Sequence, residues 1–117
     1  MKLGITLLIL LFSLVSFSQL SDEEARLVAK RQKVNRKYIG NYELPGKSAR
    51  ITMKEEGRLW VFVPGMPESM LEFIAPNTYS IAEIPNYELE FTLWEDGTVK
   101  SLIFKQPNKT VNARKKD

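Results

Sequence analysis

The sequence contains neither histidine nor cysteine. Without cysteine there is no disulfide framework, no thiolate nucleophile and no thiolate zinc site. Without histidine, the Ser-His-Asp and Cys-His arrangements and a histidine-based pH switch also go. No serine beyond residue 18 is followed three positions later by lysine, the Ser-x-x-Lys spacing that activates a hydroxyl in beta-lactamase-type acylases. Carboxylates are present, and paired carboxylates can run glycoside hydrolysis. Glu88 and Glu90, however, alternate with Leu89, Phe91 and Leu93, which is the pattern of a strand with one solvated face. The short loops Glu55-Glu56-Gly57 and Glu95-Asp96-Gly97 offer too few oxygen ligands for a calcium site. The expectation is a protein without catalytic residues, without a metal and without a cofactor.

Long apolar runs are also scarce. The single one, Leu3 to Val15, follows Lys2 and is broken only by Gly4, Thr6 and Ser13. Ser16-Phe17-Ser18 then supplies small residues at −3 and −1 of a cut before Gln19. That layout predicts a secretory signal peptide of bacterial type over residues 1–18. The run is too short for a spanning helix, which needs about 20 apolar residues. The expected mature protein is therefore periplasmic or secreted and 99 residues long (117 − 18).

Residues 19–39 read as an amphipathic helix. Ser21 and Glu24 form a capping-box pair, and Asp22, Glu23 and Glu24 load the first turn with negative charge. Lys33, Arg36 and Lys37 load the last turns with positive charge, and Gly40 is a natural stop. Leu27, Val34 and Tyr38 share one face, predicted to pack against the rest of the molecule. Arg26, Lys30, Lys33 and Lys37 line another face. They could dock on an anionic surface, although charge runs are usually solvated helix faces.

From residue 40 the pattern becomes short strands punctuated by turns. Strands are expected at 40–44, 48–54, 58–63, 70–75, 78–83, 87–94, 98–105 and 109–115, separated by Pro45-Gly46, Glu56-Gly57, Pro64-Gly65, Pro76-Asn77, Pro85-Asn86, Asp96-Gly97 and Pro107-Asn108. Ala49, Ile51 and Met53 alternate with Arg50, Thr52 and Lys54. In 98–105 the phase slips between Val99 and Leu102, predicting a bulge near Lys100-Ser101. About eight antiparallel strands in so short a segment predict a mainly β fold. A small barrel or curled sheet over residues 40–117, preceded by one helix, would remove exposed strand edges. A two-sheet sandwich is the competing architecture.

Several segments carry a resemblance: Tyr38-Ile39-Gly40-Asn41-Tyr42-Glu43, Ile51-Thr52, Gly57-Arg58-Leu59-Trp60-Val61 with Val63-Pro64-Gly65 and Pro67, Asn77-Thr78-Tyr79, and Glu95-Asp96-Gly97 with Val99 and Leu102. In order and spacing they resemble the small lipocalin-like domain of unknown function found at the C-terminus of secreted beta-lactamase-related serine hydrolases. The resemblance implies a lipocalin-like fold and an extracytoplasmic setting. It implies no catalytic residues. Met66 and Phe62 stand where that family often carries glutamine.

The aromatic residues suggest where function would lie. A barrel of about eight strands has an interior that side chains fill or that holds one small ligand. Leu59, Val61, Phe73, Phe91, Leu93 and Phe104 are expected to pack the core. Tyr79, Tyr87, Trp94 and Phe91 are the candidate ligand-binding residues, with the polar tips of the first three orienting a ligand. Residues 60–67 are apolar on both strand faces, so Trp60, Phe62 and Met66 are a candidate partner surface unless the helix covers them. Two readings follow: a binding module for a small apolar or amphipathic ligand, or a docking accessory for a separate envelope hydrolase. An interior void of about 300 Å3 or more favours the first, and a filled centre the second. Nucleic acid is not an expected partner, because no basic stripe is interleaved with stacking aromatics. Membrane contact is expected to be peripheral at most, and the protein a monomer or weak dimer.

Overall fold

A computed structural model describes residues 21–116; residues 1–18, where a signal peptide is expected, lie outside the described residues. Helix α1 (Asp22–Asn35) is followed by a 3-10 turn (Arg36–Tyr38) and eight strands: β1 (Gly40–Leu44), β2 (Lys47–Met53), β3 (Leu59–Phe62), β4 (Ser69–Ala75), β5 (Thr78–Ile81), β6 (Glu88–Leu93), β7 (Val99–Lys105) and β8 (Thr110–Lys116). Each strand pairs antiparallel with the next, and β8 returns to β1 through Asn41–Lys116, Tyr42–Lys115 and Glu43–Arg114. The result is a closed eight-stranded up-and-down barrel, so the sandwich alternative is set aside. Closure pairs the outer strands, leaving none as a bare edge.

The period-two pattern accounts for the core. Tyr42 and Leu44 on β1, Ala49 and Ile51 on β2, Leu59 and Val61 on β3, Leu89 and Phe91 on β6, and Leu102 and Phe104 on β7 are all buried. Tyr42 sits opposite Ala49, and Leu102 opposite Ala113. A small residue beside a large one makes room for the large side chain inside a narrow barrel. On β7, Ser101 faces Thr92 and Val99 faces Leu93, which leaves Lys100 as the extra residue of a bulge. Val99 and Leu102 can then both point inward although three positions separate them.

The helical segment differs from expectation in two ways. It is not continuous to residue 39: α1 ends at Asn35 and the chain tightens into the 3-10 turn, which buries Tyr38. The Ser21 cap is present, its hydroxyl accepting from the Glu24 N–H at 3.1 Å. Of the expected apolar stripe, only Tyr38 is buried; Leu27 and Val34 border a groove that they share with Leu59, Leu71 and Phe73. Leu27 is 53% exposed and Val34 46%. The most covered positions of the helix are Val28, Arg31, Gln32 and Asn35, and the helix rests on the β2–β3 connection (Glu55–Gly57). The reason is Gly57. Its φ is +73°, and a Cβ there would lie 2.8 Å from Gln32 Cγ and 2.9 Å from Gln32 N. The bare backbone of Gly57 lets the helix approach closely enough for polar groups to join the two. Asn35 Nδ2 donates to Gly57 O at 2.9 Å, and Arg31 donates to Glu56 O at 2.7 Å.

Candidate functional site

Strand direction sorts the loops into two ends. The β2–β3, β4–β5 and β6–β7 connections lie with the helix; the β1–β2, β3–β4, β5–β6 and β7–β8 connections lie at the opposite end. The two ends are built differently.

The helix end is stoppered. Tyr38, delivered by the 3-10 turn, stacks at 4.3 Å on Phe91 and meets Tyr79 edge-on at 5.6 Å. Tyr42 and Tyr79 each make further edge contacts with Phe91 at 5.9 Å. Their polar tips are all satisfied. Tyr38 donates to Asn77 Oδ1 at 2.5 Å, Tyr42 to the Tyr38 carbonyl at 2.8 Å, and Tyr79 to Asn35 Oδ1 at 2.6 Å. Burial disfavours the phenolate, so the hydroxyls of Tyr38, Tyr42 and Tyr79 are all held above the usual tyrosine range. Asn35, 5% exposed, uses both ends of its amide to tie Tyr79 to Gly57.

The opposite end is open. It holds a cavity of about 320 Å3 whose walls include Val61, Val63, Ile81, Ile84, Phe104 and Val111. Met66 from the β3–β4 connection and Tyr87 from the β5–β6 connection close in from two sides. The charged side chains along this cavity are Lys47 and Lys109, each at a hairpin turn.

This arrangement separates the residues grouped by sequence. Of Tyr79, Tyr87, Trp94 and Phe91, only Tyr87 borders the cavity. Tyr79 and Phe91 belong to the stopper, where the Tyr79 hydroxyl is already spent on Asn35. Trp94 is 54% exposed on the β6–β7 connection, with Lys100 Nζ 4.8 Å from its ring centroid. Alternation identified most of the inward positions, Phe73 excepted, but it does not say at which end of a strand a ring sits.

Trp60, Phe62 and Met66 do not form one surface. Val61 and Val63 point in, so Trp60 and Phe62 point out, and Met66 folds back onto the core at the cavity. Trp60 is half-buried, with Lys54 Nζ 4.6 Å from its ring centroid and Thr52 and Met70 as cross-strand neighbours. Phe62 stands 39% exposed opposite Arg50. Phe62 lies at the end of β3 away from the helix, and Trp60 stands on the outer face near the helix end. Phe73, expected in the core, is 65% exposed at the helix-end rim and touches Tyr79 edge-on. Arg26, Lys30, Lys33 and Lys37 are all exposed along α1 and the turn that follows it, and none is paired with a carboxylate among the described residues. Glu88 lies exposed on the wall, and Glu90 is paired with Lys105 at 3.4 Å.

The cavity residues Ile84, Val63 and Val111 were not singled out from sequence. Their apolar character was legible; their convergence needed the barrel to close. The chain matches no protein-family model, and no curated protein is similar to it in sequence at a significant level.

Proposed function

We propose that this chain is an exported, non-catalytic binding module that holds a small apolar or amphipathic ligand in the open end of its barrel. The observation that carries the reading is the contrast inside the barrel between its two ends; a groove of about 330 Å3 at the helix end lies instead between α1 and Leu59, Leu71 and Phe73. Four rings, Tyr38, Tyr42, Tyr79 and Phe91, are stacked against one another beside the helix. At the opposite end no such ring stack closes the interior: valine and isoleucine share the wall with Leu44, Met66, Tyr87 and Phe104, and about 320 Å3 is left open. That is at the lower end of the roughly 300–1,000 Å3 typical of ligand pockets. Docking of a partner on Trp60, Phe62 and Met66 is the weaker reading, since these residues face different ways.

An eight-carbon chain tests it. At ~0.8 kcal/mol per buried CH2, such a tail gains about 6 kcal/mol before association costs, so the expected Kd is in roughly the millimolar range. In a methyl NMR titration with 1-octanol, the Val61, Ile81 and Ile84 signals shift and saturate with one-to-one stoichiometry. Leu27 and Val34, at the stoppered end, stay put. Ile84→Trp fills the mouth and abolishes the shifts while leaving the helix-end signals unchanged. Shifts that rise linearly without saturation, or that spread equally over both ends, sink the proposal.

A further inference from the structure

Resting on the cavity reading above, we infer that the ligand is a short single-chain amphiphile with an anionic head, its tail inside the barrel and its head at Lys47 and Lys109. Three observations combine. First, both lysines border the cavity, and they are its only charged lining residues among those described. Second, neither lies within ion-pair distance of a carboxylate among the described residues, so both ammonium groups are free to engage a ligand. Third, no acidic side chain at this end lines the cavity. Glu68 is bound by Lys54 and Glu43 by Lys116, and Glu83 and Glu88 line an adjoining groove that shares Ile81, Ile84 and Tyr87 with the cavity on the side away from the lysines. A positively charged rim over an apolar pit is matched by a molecule with a negative end and an oily end.

The rim is built by the sequence. Lys47 opens β2 directly after the Pro45-Gly46 turn. Lys109 precedes β8, and its carbonyl accepts from the Gln106 N–H at 2.9 Å, which closes the β7–β8 turn. β1 pairs with both β2 and β8, so the two turns rise from neighbouring hairpins on the same side of the mouth. Leu44, at the end of β1, lies between them and borders the same cavity. The neutral donors of Gln106 and Tyr87 add to the rim.

Size favours a short tail. The cavity lies near the lower end of the volume range of ligand pockets, which suits one short chain better than the two tails of a lipid.

The test compares three ligands with the same tail: octanoate, 1-octanol and octyltrimethylammonium, titrated by methyl NMR at low salt. Octanoate is expected to bind at least about threefold more tightly than octyltrimethylammonium. The combined Lys47→Gln and Lys109→Gln substitution is expected to weaken octanoate by roughly three- to tenfold, the range for two exposed charge contacts, and to leave 1-octanol unchanged. Added salt should reproduce that loss for octanoate alone. Retained octanol binding by the double variant certifies its fold. Equal affinity for the cation and the anion, or octanoate binding indifferent to the lysines, overturns the anionic head while the cavity reading survives. If none of the three ligands saturates, the cavity reading itself falls.

Discussion

Removing the Asn35 amide probes the stopper directly. Asn35→Ala deletes the donor to Gly57 O at 2.9 Å and the acceptor for the Tyr79 hydroxyl at 2.6 Å. Tyr79 is 3% exposed and Gly57 is buried, so water does not readily replace the lost partner at either. Leaving a buried polar group unsatisfied costs about 1–3 kcal/mol, so the two together cost about 2–6 kcal/mol. Alanine is the better helix former by up to about 0.7 kcal/mol, which offsets a small part. A net loss of about 3 kcal/mol is a large fraction of the roughly 5–15 kcal/mol typical of a small domain. It corresponds to a Tm lower by about 12–24 °C for a chain of this size. Urea denaturation with and without Tyr79→Phe isolates the hydrogen bond between the two side chains. The double-mutant cycle should return a coupling of about 1 kcal/mol or more, because Tyr79→Phe removes the very hydroxyl that Asn35→Ala leaves without a partner. A loss below about 0.5 kcal/mol for Asn35→Ala, together with zero coupling, would refute the view that this amide holds the helix to the barrel.

Two further outcomes follow from the same end of the molecule. Gly57→Ala puts a Cβ 2.9 Å from the Gln32 backbone nitrogen at a φ of +73°, whereas Gly46→Ala at φ +77° meets open space. Gly46→Ala should cost only the left-handed backbone penalty of about 1–2 kcal/mol, and Gly57→Ala clearly more, with faster amide exchange along α1; equal losses would mean that the helix does not need this close approach. Raised pH should unfold the protein from above about pH 10, the ordinary tyrosine value. The unfolded chain releases phenolic protons there, while native Tyr38, Tyr42 and Tyr79 hold theirs by burial. The unfolded state then binds fewer protons than the native one, and stability falls as pH rises from the unfolded value toward the folded ones. Tyrosinate absorbance should therefore grow in step with loss of β-sheet circular dichroism. Full tyrosinate formation in an intact barrel would contradict that coupling.

The chemistry of the turns and the alternation of apolar residues were enough to place the eight strands within a residue or two of their observed bounds. They also placed the Lys100 bulge, because a break in a period-two pattern can be repaired only by an extra residue. β5 stops at Ile81, short of the expected end, because the chain turns through Glu83 and Asn86, both at positive φ. That bend is not encoded in the local apolar pattern. The helix shows the same limit. Leu27 and Val34 carried the apolar signal, yet the face that docks is mostly polar. A glycine 22 residues from Asn35 in sequence made a close backbone approach possible there.

Local sequence thus determined which residues point inward, because strand geometry fixes alternate side chains to opposite faces. It could not determine which inward residues share an end. Tyr79 and Tyr87 lie on or beside adjacent strands, yet one closes the barrel and the other borders its cavity. That division was decided by barrel closure and by the helix stoppering one end, both set by contacts between residues far apart in the chain.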